Sequence, residues 1–260
     1  LEDLLRSSRA RKDLGKPLPN QFQKLVEATA IYRRGQFVLI ASGPNRGKSL
    51  LALNIAVRSG LRTLYISPDM SSSDTVRRIS ALLTGDTLEE VGQAFELGEE
   101  GHYEEVISYN LNNKMRFVWD TSLTLNEFNE EIEAFGIAYG DYPELVIVDN
   151  IRDLYAAEDK FQSWNVIEQH LKAVALSTGA LVIGLHHLLG MYADGTESPP
   201  LNGVEGQITK KPDQVWTLWG SSLGKSLKVN IVKNRGGKAS PAGNLTVELQ
   251  VDYDRAEIIG

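Results

Sequence analysis

The sequence contains no cysteine. That excludes disulfides and any zinc site built on thiolates, and it fits a reducing compartment. No run reaches the roughly 18 consecutive apolar residues that a membrane-spanning helix requires. No signal-peptide pattern opens the chain. The expectation is therefore a cytoplasmic protein without membrane contact. Positive charge is also scarce: 27 lysines and arginines stand against 34 aspartates and glutamates, a formal net charge of -7. No whole-chain attraction to a polyanion follows, so any nucleic-acid contact has to come from local basic loops. Internal repeats and low-complexity tracts are absent. The 260 residues suffice for one large core or two small ones.

What is present is an alternation of short apolar runs and amphipathic stretches. Residues 1–20 hold a short amphipathic piece, a basic run, then Gly15, Pro17 and Pro19. They read as an arm and linker, with 21–260 as the body. "FQKLVEATAIYRRG" predicts a helix stopping at Gly35. "QFVLIA" is a buried strand, "SLLALNIAVRSG" a helix closed by Gly60, "LRTLYISPDM" a second strand and "SSDTVRRISALLTG" a second helix. Residues 86–113 suggest helices with loops. "KMRFVWD" is a strand, and Thr124 with Glu127 forms a capping-box pattern at the head of a helix. "PELVIVDN" and "GALVIGLHH" are buried strands separated by the helix "WNVIEQHLKAVALSTG". A long polar loop follows, then "QVWTLWG". The last two stretches, "KSLKVNIVKNRGG" and "NLTVELQVDY", alternate like an antiparallel hairpin around a glycine-rich turn. The class is α/β, with a mostly parallel central sheet flanked by helices and a C-terminal antiparallel hairpin.

The chemistry concentrates in "SGPNRGKS", between the first buried strand and its helix. The usual phosphate-loop pattern is G-x-x-x-x-G-K-[ST], and Ser42 holds the place of the first glycine. That matters only if the position needs a positive φ. Gly43 and Gly47 permit a tight path with inward N–H groups, Pro44 stiffens it, and the helix starting near Lys48 adds its positive end. The expected nucleotide cradle is Ser42, Gly43, Pro44, Asn45, Arg46, Gly47, Lys48 and Ser49. Lys48 can reach terminal phosphates, and the Ser49 hydroxyl can bind Mg2+. Asp149 ends an apolar strand, where a carboxylate can hold the magnesium water shell. Asp69 and His187 end two further strands on the same rim. Asp69 is a candidate for orienting or deprotonating water, and His187 for sensing the γ-phosphate. A shared metal role for His186 and His187 is disfavoured, because neighbours on an extended chain point opposite ways. Lys233 and Arg235, before a turn, form a two-charge tip that can clamp a phosphate.

Together these motifs resemble the RecA-fold motor domain of the DnaB-like hexameric replicative helicases of bacteria and phages, and a phage member suits the pattern best. The resemblance spans about residues 17–250. It implies a RecA-like P-loop NTPase core using ATP and Mg2+. In that family the phosphate loop usually lacks its leading glycine and has a proline at the place of Pro44. "ISPDM" matches the segment of the catalytic glutamate, with the shorter Asp69 in its place. "VIVDN" matches the magnesium strand through Asp149, and "VIGLHHL" the sensor strand through His187. "GQITKKPDQV" matches the segment after the DNA-facing loop. "IVKNRGG" matches the motif that sends a lysine and an arginine into the next subunit's site, here Lys233 and Arg235.

The resemblance further implies a homo-oligomeric ring, hexameric by family habit, acting on single-stranded DNA, with a primase or loader as possible partner. The stretches matching the DNA loops, about 154–163 and 189–205, contain only Lys160 among lysines and arginines. Lys160, and Lys210 and Lys211 just after these stretches, are the candidate contacts to the strand's phosphates, and Tyr155, Phe161 or Tyr192 could stack on bases. Two other readings stay open at this stage: a RecA-like scaffold or regulatory ATPase acting on protein, and a recombination ATPase. No primase or N-terminal helicase segment is legible. The expectation is a compact phage motor, a recombination ATPase or one domain of a longer chain.

Overall fold

The computed structural model describes residues 12–67, 70–112, 114–120, 123–155, 160–220 and 224–260, the side chains of 160–163 excepted. The strands are β1 (Phe37–Ser42), β2 (Thr63–Ile66), β3 (Met115–Val118), β4 (Leu123–Thr124), β5 (Leu145–Val148), β6 (Leu154–Tyr155), β7 (Leu181–His187), β8 (Gln214–Trp219), β9 (Ser226–Asn234), β10 (Thr246–Asp252) and β11 (Glu257–Ile259). The described α-helices are α1 (Gln23–Glu27), α2 (Lys48–Arg58), α3 (Ser72–Thr84), α4 (Leu88–Leu97), α5 (Gly101–Leu111), α6 (Leu125–Tyr139) and α7 (Lys160–Thr178). None of them is long and apolar enough to cross a membrane.

One nine-stranded sheet organises the chain, in the order β11-β10-β9-β8-β1-β7-β5-β2-β3. β8, β1, β7, β5, β2 and β3 run parallel. β9, β10 and β11 continue the sheet antiparallel. β4 and β6 form a separate two-stranded piece.

The period of two along each strand divides the core. On β1, Val38 and Ile40 join Leu51, Leu53, Tyr65 and Trp216 beneath α2. Phe37, Leu39 and Ala41 face the other layer, with Phe128 and Phe135 of α6 and Ile167 and Leu171 of α7. Both faces of β1 are thus covered, which is why its sequence is continuously apolar. Capping fixes the helix starts: Thr124 and Glu127 form the expected capping box of α6, and Ser71 caps α3 by accepting from the Asp74 N–H.

Two sequence expectations need correction. The helix expected from Phe22 to Gly35 stops after Glu27. Thr29 takes a left-handed φ of 66°, and its carbonyl accepts from Asn234 Nδ2 while its hydroxyl accepts from the Lys238 N–H. The chain bends there to secure the end of β9, and Tyr32 beyond the bend is buried and stacked on Trp216. The antiparallel part is also larger than a hairpin. β9 pairs with β8 as well as β10, and β11 adds a further strand. Of the expected arm, residues 1–11 lie outside the described residues. Within its later part, Pro17 bridges to Arg33 and Leu18 is buried.

Candidate nucleotide site

The phosphate loop leaves the carboxyl end of β1 at the centre of the sheet. Ser42 is still a strand residue, in register with His187 on one side and Leu218 on the other. Its φ is not positive, so no glycine is needed, and its hydroxyl donates to the Gly43 carbonyl at 2.8 Å. The left-handed positions fall later, at Asn45 (55°) and Gly47 (77°). Gly43 is required for space: a Cβ there would overlap the backbone of Ala193. Gly47 is the N-cap of α2, and Lys48 and Ser49 make its first turn. A cleft of about 640 Å3 opens here, lined by Gly43 to Leu50 and by Met70, Arg78, Leu88, His187, Tyr253 and Ala256.

The rest of that rim is set by β5 and β7. Asp149, just past β5, is buried and accepts from the Tyr65 hydroxyl at 3.3 Å. Burial and the nearby Asp149 carboxylate push the Tyr65 phenol well above its usual range, so it stays a donor. Asn150 Nδ2 donates to His187 Nε2 at 2.6 Å, tying the end of β5 to the end of β7. His186 points the other way. It is fully buried, its Nε2 donates to the Glu205 carbonyl at 3.0 Å, and burial lowers its pKa to about 3. It is a neutral packed histidine.

Lys233 and Arg235 lie at the opposite end of the sheet. Lys233 pairs with Val215, which is level with Leu39 of β1. Three residues at ~3.3 Å each separate that level from Ser42, and Arg235 lies further down. Lys233 Nζ donates to the carbonyls of Thr209 (2.6 Å) and Lys210 (3.1 Å), and Arg235 Nη2 to that of Lys210 (2.9 Å). Arg235 also sits 3.6 Å from Asp213. Burial and the Arg235 charge lower the Lys233 pKa. Lys210 and Lys211 are exposed beside this pair.

Several sequence candidates fall elsewhere. Asp69 and the side chains of Lys160 and Phe161 lie outside the described residues. Tyr155 is exposed, whereas Tyr192 packs against Gly203 as an anchor. The expected long polar loop is built from three short 3-10 turns, held by a bridge between Leu188 and Val204. Sequence reading missed Arg78 and Tyr253 as cleft residues. Tyr253 sits on the turn after β10, some two hundred residues from the loop, with no local signal to mark it.

The residues present fit a nucleoside triphosphate and its magnesium. The cradle turns through left-handed Asn45 and Gly47 into the helix start, with a lysine and a hydroxyl in the first helical turn. Arg46 donates to the Gly220 carbonyl, while its Nε is buried without a hydrogen-bond partner among the described residues. No group of three histidines or acids is arranged around a metal among the described residues. Ser49 and Asp149 are the protein groups suited to the ion, which usually retains waters and phosphate ligands.

Comparison with known proteins bears on the family and the fold. Residues 17–255 match the family described as the DnaB-like helicase C terminal domain. The chain is 34% identical over 256 residues to the Gene 65 protein of Mycobacterium phage L5, covering 95% of this chain and 94% of that one. It is 37% identical over 231 residues to the Gene 65 protein of Mycobacterium phage D29, covering 86% and 95%. A probable plasmid replicative DNA helicase of Chlamydia muridarum is 24% identical, and there the match spans 85% of this chain but 51% of the relative. Among solved structures, an isolated ATPase domain superposes with a TM-score of 0.80 at 19% identity, covering 99% of this chain and 95% of that one. A DnaB-like replicative helicase studied with primase gives the same TM-score and identity, covering 98% and 64%. The fold is therefore that of a RecA-like motor domain, and the chain belongs to the family of DnaB-like helicase C-terminal domains.

Proposed function

We propose that this chain is one subunit of a hexameric ring that hydrolyses ATP at its subunit boundaries and uses the cycle to move along single-stranded DNA. Membership of the DnaB-like family makes it an ATP-dependent motor of the helicase class. The ring, the strand and the division of labour among residues are the finer reading. In it, residues 1–20 are an arm to the neighbour and 21–260 the motor. A primase or loader is a candidate partner.

One observation carries this reading: the cradle and the Lys233–Arg235 pair occupy opposite ends of the same sheet. One chain cannot bring them together, while head-to-tail neighbours can. In this scheme backbone N–H groups of 43–49 and Lys48 hold the phosphates, and Ser49 and Asp149 hold magnesium. When bound, the ion neutralises charge on phosphate oxygens. Asp69 orients the attacking water. The Asn150–His187 pair, rooted beside Ser42, reports whether the terminal phosphate is present. Arg235, with Lys233, meets developing charge on the neighbour's nucleotide, a contribution of about 10^3 to 10^5 in rate for such fingers. Lys210 and Lys211 stand with the finger pair, so their first role is at that boundary, and the strand contact falls mainly to the Tyr155–Lys160 and 189–205 stretches.

The test is ATP turnover against added single-stranded DNA at two salt concentrations, alongside strand displacement. Stimulation that weakens with salt supports the motor reading. Turnover indifferent to DNA, without displacement, favours a scaffold ATPase acting on protein.

A further inference from the structure

Three residues on one face of α7, spaced by four, grip the segment that descends from the sensor rim to the finger rim. Trp164 lies over Gly206, whose left-handed φ of 66° and missing Cβ make room for the ring. Glu168 accepts from the Lys211 N–H at 2.8 Å. Lys172 donates to Asp213 at 2.6 Å and to the Gly35 carbonyl at 3.1 Å. The upper end of the segment is held by His186 through the Glu205 carbonyl.

Glu168 is the unusual member. Its residue is only 2% exposed, and it is held by backbone N–H groups where a buried acid is ordinarily paired with a cationic side chain. An acid is almost never buried so deeply unless it is paired, and here the pairing is with the backbone of the 210–211 run. Burial pushes its pKa up, while the N–H groups of Lys211 and Lys210 and the charge of Lys233 pull it down. Its partner lies immediately after the two carbonyls, of Thr209 and Lys210, on which Lys233 and Arg235 rest. Because a carboxylate accepts a backbone N–H through a short, charge-assisted bond, it fixes the height and orientation of that peptide run.

We propose that Glu168 is the positioning residue for the finger pair: it clamps residues 209–211 against α7, and those carbonyls present Lys233 and Arg235 at the subunit boundary. This rests on the reading that the pair acts on a neighbour's nucleotide. Glu168 acts through Lys211 and the adjoining carbonyls, at a distance from the nucleotide itself.

The experiment compares whole chains alone and in one-to-one mixtures. Glu168→Ala is expected to bind ATP with unchanged affinity and to lose about tenfold or more in kcat, the usual scale for a slightly misplaced group. Glu168→Gln, which keeps an oxygen acceptor for the Lys211 N–H, should restore most of that loss. Mixed with Lys48→Ala chains, which lack a working cradle but have an intact finger, Glu168→Ala chains should regain turnover. About one quarter of the boundaries in randomly mixed head-to-tail assemblies then join a good cradle to a good finger. A mere folding defect would not be rescued in this way. Should the alanine chain fail to fold, Glu168→Asp withdraws the acid by one methylene and is read in the same mixture.

Arg235→Ala mixed with Lys48→Ala is the control. Rescue of Arg235→Ala without rescue of Glu168→Ala would overturn the role of Glu168 and leave the finger reading standing. Failure of both mixtures would remove the finger reading, and this inference with it. Wild-type kcat in Glu168→Ala would also overturn the proposal.

Discussion

At the carboxyl end of the sheet the backbone makes the candidate binding surface. Glycines at 43 and 47, a left-handed Asn45 and the start of α2 form a concave loop whose N–H groups need no side chain. At the amino end the reverse holds. Backbone carbonyls of 209 and 210 hold the long side chains of Lys233 and Arg235, the groups to which the proposed function gives the work. A cradle must be preformed, since its donors gain from being fixed before the phosphate arrives. On the proposed reading a finger must travel, and Lys233 and Arg235 carry their charges on long stems, with Arg235 half-exposed. On the same reading the two rims should therefore differ in how a mutation shows itself: the first in folding and binding, the second in turnover alone.

The sharpest way to break this contrast is Arg235→Ala. A loss of about 10^3 in kcat is expected, with ATP affinity near wild type. Measured by steady-state turnover and nucleotide titration, equal losses in both would abolish the distinction. Next comes Gly43→Ala, where the new Cβ meets the Ala193 backbone. A loss of about 1–3 kcal/mol in urea unfolding is expected, together with weaker nucleotide binding. Unchanged stability would show that the 190–195 turn yields freely.

His186, between the rims, gives a pH signature. The unfolded chain binds a proton near the ordinary value of 6.5, and the folded chain not until about 3. Within that window the unfolded state holds the extra proton, so stability falls as pH drops. From pH 6.5 to 5 the loss is about 2 kcal/mol. His186→Gln should remove that portion of the pH dependence in parallel urea titrations. The smallest effect is expected at Tyr253, an aromatic wall of the cleft. Tyr253→Ala should weaken ATP binding by about 1 kcal/mol while leaving saturated turnover intact. A turnover defect there would blur the separation between rims.

Much of the cradle rim was legible in the sequence because it is local. Strand, turn and helix follow within twenty residues, and the period of the apolar pattern switches where the loop begins. The parallel strands were legible for the same reason, being buried on both faces. Ser42 shows what a motif alone leaves open. Its replacement of glycine looks like a defect until the register with His187 and Leu218 reveals an extended residue. The bend at Thr29 was hidden, because its cause is two hydrogen bonds to residues more than two hundred positions away. Tyr253 and Glu168 were hidden likewise: an aromatic on a terminal turn and an acid on an amphipathic helix carry ordinary local signals. Only the tertiary fold brings one to the cleft and the other to the carbonyl run.

Asp213 meets three groups at once: the Phe37 N–H at 2.9 Å, the Lys172 ammonium at 2.6 Å and the Arg235 guanidinium at 3.6 Å. The two closer ones stay put whatever Arg235 does. If the arginine swings outward as the proposed function requires, the acid keeps a full counter-ion and a hydrogen bond, so no bare anion is stranded in the interior. Two contacts break: the long, half-hydrated ion pair, worth about 0–1 kcal/mol, and the exposed hydrogen bond from Arg235 Nη2 to the Lys210 carbonyl. On the proposed reading, departure thus costs only contacts at the exposed edge, and a reciprocating part needs a resting place of that kind.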